Sequence, residues 1–321
     1  MNLLDVARKL STDDQCLDFI EKVRWHGVIR CPKCDSDKVS RITRTVDETL
    51  TRKEKKQNKR TRYYVCTCGQ QFSPTAGTIF HDSHLPLSKW FFAVALIVDA
   101  KKGMSANQLA RHLKVNYRTA WYLAHRIRKT MAPSGPSVSE VTLTQRPKLS
   151  GIVEVDETWV GGKVRGQGRG QTNKEIVMGI RERGGDLRLF HIPDTSAHSL
   201  SGPIQENVSP RVEKVMTDEY PAYPLAMMAS GIHGDKHNTI RHRDRVYVRG
   251  DVHTNTIESA FSLFKRGVVG SFHKISGKHL HRYLSEFEYR FNGRDDADLF
   301  GQTVARMVNT PGMEYKELVA N

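Results

Sequence analysis

Apolar positions recur at helical spacing through the first part of the chain and alternate with polar ones later. Residues 1–28 predict helix: Ser11-Thr12-Asp13-Asp14-Gln15 supplies capping residues, and Cys16, Leu17, Phe19, Ile20 and Val23 follow at helical intervals. A second helical block runs from about Ser88 to Met131 and breaks at Lys101-Lys102-Gly103-Met104. Within it, Leu109, Ala110 and Leu113 form the inner face of one short helix, and Ala120, Leu123 and Ile127 that of a second. Val115-Asn116 is the turn between them. Beyond residue 151 the pattern predicts strands near 152–160, 175–183, 186–192 and 211–217, with helices near 197–208, 256–268 and 278–292. That mixture is an α/β domain.

The stretches between these elements set the boundaries. From Ile29 to about Phe80 the composition shifts to Cys, Thr, Arg, Lys and Tyr, and residues 132–150, with Pro133, Gly135, Pro136 and Pro147, read as a linker. The expected organisation is a helical segment (1–28), a cysteine-rich unit with a basic insertion (29–86), a helical unit (87–131), the linker (132–150), the α/β domain (151–295) and a C-terminal tail (296–321). A glycine-rich stretch, Gly161 to Gly170, joins the first two strands of that domain and carries Lys163, Arg165 and Arg169.

Charge narrows the partner. Fifty Lys and Arg against 35 Asp and Glu give +15 over 321 residues, with an isoelectric point near 9.6. An excess of this size favours a polyanion, because each cation that neutralises a phosphate releases a counterion. Arg52, Lys53, Lys55, Lys56, Lys59, Arg60 and Arg62 concentrate that charge in one run, which reads equally as a DNA-contacting arm or a solvated loop. The longest apolar stretch, Trp90 to Val98, is far short of the roughly 20 residues a membrane span needs. No signal peptide is evident at the N-terminus. The expected location is cytoplasmic, with no membrane partner.

Five cysteines are present, and four fall in close pairs: Cys31-Pro32-Lys33-Cys34 and Cys66-Thr67-Cys68. Two close pairs separated by a loop have the spacing of a ribbon that holds one structural Zn²⁺. The second pair is C-x-C rather than C-x-x-C, which leaves His81 and His84 open as alternative ligands. Cys16 lies on the apolar side of a helix and reads as core.

The helical pair at 105–127 has the form of a helix-turn-helix. Asn116, Tyr117, Arg118, Tyr122 and Arg126, with Arg128, are expected on the outer side of its second helix, where such side chains reach base edges or phosphates in a major groove. Plain helix packing is the competing reading.

Three acids stand out in the α/β domain. Asp156 lies within an apolar strand, on the face that alternation gives to Glu154 and Thr158. Asp218 follows an apolar strand, and Glu258 opens a helix on whose face Ser262 and Lys265 recur. Carboxylates on strands are costly unless paired, and divalent cations bind several oxygens at once. Two Mg²⁺ (or Mn²⁺) ions per site would suit phosphodiester chemistry. Lys265 would then bind phosphate, with His253 and Asn255 as candidate helpers. Asn255 is also a candidate helix cap.

These residues resemble insertion-sequence transposases of the ISXO type, which carry a zinc ribbon ahead of a DDE catalytic domain. The matching stretches are Cys31 to Cys34, Cys66 to Phe80, Val155 to Lys163, Thr217 to Tyr220 and His253 to Gly267. The resemblance implies an RNase H-like catalytic core preceded by a zinc ribbon and a helix-turn-helix. It implies Asp156, Asp218 and Glu258 as the catalytic, metal-binding trio and Lys265 as the associated lysine. It further implies an enzyme that binds the DNA ends of its element, cleaves there and joins them to target DNA, as a homodimer or higher assembly. The alternative expectation is a zinc-ribbon and helix-turn-helix regulator whose transposase-derived domain is inactive.

Overall fold

The computed structural model describes residues 1–42, 62–133, 146–161, 174–240 and 252–320. The basic run except Arg62, most of the linker and the glycine-rich stretch after Gly161 lie outside the described residues. Arg62 itself pairs with Asp14, Asp18 and Glu21 on an N-terminal helix.

Two helices open the chain, α1 (Leu3–Lys9) and α2 (Asp13–Trp25). Each begins with a reciprocal capping box, Asn2 with Asp5 and Thr12 with Gln15, which satisfies amides that the first turn leaves unpaired. A small antiparallel sheet follows, of β1 (Val39–Ile42), β2 (Tyr63–Cys66) and β3 (Gln71–Phe72). Its short core is Cys31, Tyr64, Cys66 and Phe72, with Trp25 of α2 packed against it. The Trp25 ring meets Tyr64 and Phe72 edge-on at centroid distances of 5.7 and 6.0 Å.

Helices α3 (Leu87–Asp99), α4 (Ala106–Leu113) and α5 (Tyr117–Thr130) make the next unit. Ser105 caps α4 and Asn116 caps α5 through their side chains, and Lys114 turns the chain between them in the left-handed conformation, φ +50°. The core under these helices is not local. It combines Val6, Cys16 and Ile20 with Trp90, Phe91, Leu109 and Leu123, and then with Phe300, Val304 and Met307 from the far end of the chain. Those last residues belong to α10 (Leu299–Asn309), which is followed by α11 (Tyr315–Val319). Residues 296–321, expected as a tail, therefore form two helices that complete the N-terminal core. The N-terminal amino group lies 3.1 Å from Asp298.

The α/β domain is built on a five-stranded sheet of β4 (Ile152–Val160), β5 (Glu175–Glu182), β6 (Leu187–Ile192), β7 (Lys214–Asp218) and β8 (His237–Ile240), in the order β6-β5-β4-β7-β8. The β6-β5-β4 pairings are antiparallel, and β4-β7 and β7-β8 are parallel. One face is covered by α6 (Ala197–Asn207) and α7 (Ala222–Ala229), whose Leu200, Ile204, Tyr223 and Met227 pack on Val153, Val155 and Val215. The other face carries α8 (Asn255–Gly267) and α9 (Gly277–Asn292), whose Ile257, Phe261, Phe264, Leu284 and Phe287 pack on Val177, Leu187 and Leu189. Period-2 alternation along β4 sends its side chains to these two faces in turn. Strand β8 and helix α7 add to the elements expected from the pattern.

Candidate active site

Register brings two of the three acids together. Parallel β4 and β7 pair Ile152 with Lys214, Val153 with Val215 and Glu154 with Met216. The pairing ends there; continued by two residues, the same register would set Asp156 beside Asp218, whose charge acts on the Asp156 carboxyl. Asp156 is on the face under α8.

Helix α8 is seated unusually close to this face. Opposite Asp156 on β5 is Gly179, and a Cβ at Gly179 would meet Ile257 and Phe261 of α8 at 2.7 Å. The N-terminus of the same helix is held by Glu154, which is wholly buried. Glu154 accepts hydrogen bonds from the backbone amides of Thr256 and Ile257, both at 2.9 Å, and from the Thr256 hydroxyl at 2.8 Å. Its other oxygen accepts from Arg183 at 2.7 Å. A buried carboxylate at a helix N-terminus is stabilised by the free amides and the helix dipole. Arg181 of β5 also donates to the Thr256 carbonyl. These contacts place Glu258, one turn into α8, over the sheet.

A cleft of about 630 Å³ opens beside this arrangement, lined by Asp156, Thr158, Glu258, Ser262 and Lys265. Lys102, Arg266 and Phe261 share its walls. Glu258, Ser262 and Lys265 sit on the exposed face of α8, as their spacing predicts. Burial raises the Asp156 carboxyl to about 7, helped by Glu157, Asp218 and Glu258 and opposed by a hydrogen bond from the Glu157 amide. Burial likewise raises Glu157 to about 7, against a hydrogen bond donated by Tyr223 at 2.8 Å. Burial thus holds Asp156 and Glu157 against ionisation, and the neighbouring carboxylate charges add to this at Asp156, where a divalent cation would relieve it. The ligand oxygens of Asp156, Asp218 and Glu258 do not all lie within 4.8 Å of one another, a closeness that, among the described residues, only the four paired cysteines reach.

The two expected helpers are placed differently. His253 has its Nδ1 3.0 Å from Arg183 and 3.2 Å from Glu154, so it belongs to the network that anchors α8. Asn255 is exposed in the first turn and does not cap the helix. Thr254 stands at the N-cap position and donates to Glu258 at 3.0 Å, while Glu154 receives the free amides. The reason is proximity: the buried strand carboxylate lies directly under the helix end.

The cysteine cluster uses both pairs. Cys31 and Cys68 sulfurs are 3.8 Å apart and those of Cys34 and Cys66 are 3.6 Å apart. A tetrahedron with Zn–S bonds of about 2.3 Å has edges of about 3.8 Å, so the four thiols fit zinc without His81 or His84. A backbone hydrogen bond from Cys68 pulls the Cys66 thiol down to about 6, towards the thiolate that a metal requires.

The outer side of α5 departs from expectation. Asn116, Tyr117 and Arg118 are exposed at its start, but Arg126 is 5% exposed and Arg128 2%. Arg126 donates to the carbonyls of Ile79 and His81 and lies over the Trp90 ring at 4.8 Å. Tyr122 donates to the Met313 carbonyl and is half-buried. The expected exposure of Tyr122, Arg126 and Arg128 is therefore corrected. The C-terminal segment around Met313 and Tyr315, together with α9, covers the helix that the local pattern left open.

Sequence reasoning missed Lys102, Arg266 and the anchoring pair Glu154–Arg183 as site residues. The signal for Glu154 was present, as a second acid on a central strand two residues before Asp156. Lys102 carried no such signal, since it lies in the turn between α3 and α4, far from the acids in sequence.

Similarity to known proteins agrees with the geometry. Residues 148–292 match the ISXO2-like transposase domain, and residues 11–71 match the transposase zinc-ribbon domain. An uncharacterized protein in transposable element ISH50 of Halobacterium salinarum is 26% identical over 298 residues, spanning 87% of this chain and 90% of that protein.

Proposed function

For a chain built from a transposase zinc ribbon and an ISXO2-like transposase domain, we propose a DDE transposase that binds the ends of its own element, cuts a strand at each end and joins the freed 3′-hydroxyls to target DNA. The observation that carries this reading is the cleft shared by Asp156 of a central strand with Glu258 and Lys265 of α8, beside the parallel strand that ends in Asp218. The sheet order, three antiparallel strands followed by two parallel ones with helices on both faces, supports an RNase H-like core.

Asp156, Asp218 and Glu258 would hold Mg²⁺ or Mn²⁺, two ions per site. Their hard oxygen donors suit these ions, and the neighbouring carboxylate charges that add to the raising of Asp156 support a cation bound there. When bound, the ions supply activation of the attacking oxygen and stabilisation of the leaving oxygen. The chain's own contribution is positional. Lys265 binds a phosphate oxygen from the face of α8, and Thr158 and Phe261 line the cleft beside it.

DNA recognition falls to the α4–α5 pair. Asn116, Tyr117 and Arg118 at the open start of α5 would enter a major groove. The ribbon cysteines would hold one structural Zn²⁺ and so stabilise a unit whose own core is small. Synapsis of two ends calls for at least a dimer. Among the described residues no helix is long and apolar enough to cross a membrane.

The test is transposition in cells of a marker flanked by the DNA that borders this gene. Movement with the unaltered protein and none with Asp156→Ala supports a DDE transposase. Equal movement with both would sink the assignment of Asp156. Binding of the flanks without movement by either would favour the regulator with an inactive domain.

A further inference from the structure

The cleft that holds Asp156, Glu258 and Lys265 is not made by the α/β domain alone. Lys102 lines it too, and Lys102 comes from the turn between α3 and α4, within the helical unit. The turn is pinned at several points. Arg290 of α9 donates to the carbonyls of Ala100 and Lys101 at 2.5 and 3.2 Å. Arg290 is itself paired with Glu286 at 3.0 Å, and Glu286 with Arg128 of α5 at 2.6 Å. All three of these charged side chains are buried.

Backbone packing fixes the turn from the other side. A Cβ at Gly267, the last residue of α8, would lie 2.6 Å from the Lys102 carbonyl oxygen. Gly103 takes φ +80°, and a Cβ there would lie 2.4 Å from the Phe272 ring. Two glycines thus allow the turn to press against the end of α8, two residues beyond Lys265. The Lys102 backbone is held while its side chain is exposed. A fixed stem with a free ammonium at the mouth of a cleft is suited to a phosphate, which a lysine binds as a compact point charge.

We infer that Lys102 is a substrate contact of the transposase site: its ammonium binds a phosphate of the DNA strand lying in the cleft, from an element different from the one that carries Lys265. The inference rests on the transposase reading above. It makes the active site a composite, complete only when the helical unit is docked on the α/β domain.

The experiment uses the full chain with Mg²⁺ or Mn²⁺ and duplexes taken from the DNA flanking the gene. Lys102→Ala should reduce strand cleavage about tenfold to a hundredfold, the effect of losing one charged hydrogen bond. Lys102→Arg, which keeps the charge, should retain cleavage to within a few fold. The slope of log affinity against log salt should become shallower by about 0.9 for the alanine variant. A scan of single neutral methylphosphonate linkages should find one position that weakens cleavage by the unaltered protein and leaves Lys102→Ala unchanged. A merely structural role for Lys102 would not produce that pairing. Cleavage by Lys102→Ala at the unaltered rate, or a scan in which every linkage affects both proteins equally, would overturn the inference and leave the transposase reading intact. No Asp156-dependent cleavage by the unaltered protein would instead bring down both.

Discussion

Three acids on one strand face different fates. Glu154 is buried and fully engaged by α8 and Arg183, Asp156 opens on the cleft, and Glu157 turns to the opposite face and Tyr223. The distinction is a matter of what each meets, not of residue type. Glu154 has four hydrogen-bond donors around it, and removing it would take the acceptor from two helix amides, the Thr256 hydroxyl and the Arg183 Nε. Glu154→Ala should destabilise the protein by about 3–5 kcal/mol, as loss of one partner in a buried ionic network does. The midpoint of urea unfolding measures it. A change below about 0.5 kcal/mol, the range of ordinary surface substitutions, would show that the anchoring role is wrong.

At the scale of elements, the site depends on how near α8 sits to the sheet. Gly179 is the residue that permits this, since any side chain there would strike Ile257 and Phe261. Gly179→Ala should push α8 outward and cost about 1–3 kcal/mol through overpacking. Because Glu258 rides on that helix, strand cleavage should fall more than stability suggests, towards the roughly hundredfold loss that a 1 Å misplacement brings. The duplex binding proposed for α4 and α5 should be unchanged. Unimpaired cleavage by a folded Gly179→Ala protein would show that α8 has slack. The same scale explains the misjudged face of α5: Tyr122 answers the C-terminal segment, Arg128 answers α9, and Arg126 answers the carbonyls of Ile79 and His81 rather than solvent.

For the molecule as a whole, the junction between the helical unit and the α/β domain is polar, buried and basic. His125 of α5 lies there, fully buried against Trp121, His279 and Tyr283, with both ring nitrogens unpartnered among the described residues. Burial, and then the charges of Arg128, His279, Arg282 and His281, lower its pKa from 6.5 to about 2. His279 and His281 are lowered as well, chiefly by burial. Below pH 6.5 the unfolded chain takes up protons that the folded chain refuses. The stabilisation is therefore complete above pH 6.5 and is lost as pH falls, by up to about 1.4 kcal/mol per pH unit for each such histidine. His125→Phe, which fills the same aromatic cluster without a titrating group, should gain stability over the unaltered protein by about 2 kcal/mol between about pH 7.5 and 5. Parallel urea titrations of the two proteins test this, and parallel pH profiles would show that His125 does not titrate between those states.

Local pattern alone determined much of this protein. The helical and β blocks, the paired cysteines, the capping stretch Ser11 to Gln15, and the strand and helix positions of Asp156, Asp218 and Glu258 follow from periodicity, capping chemistry and residue type, which act over a few residues. The partners that bury Arg126 and Arg128, the closure of the N-terminal core by α10, the anchoring of α8 by Glu154 and the arrival of Lys102 at the cleft were decided only by tertiary structure. Each joins residues tens to hundreds of positions apart, and a buried charge and a solvated one look alike in sequence until the element that covers one of them is in place.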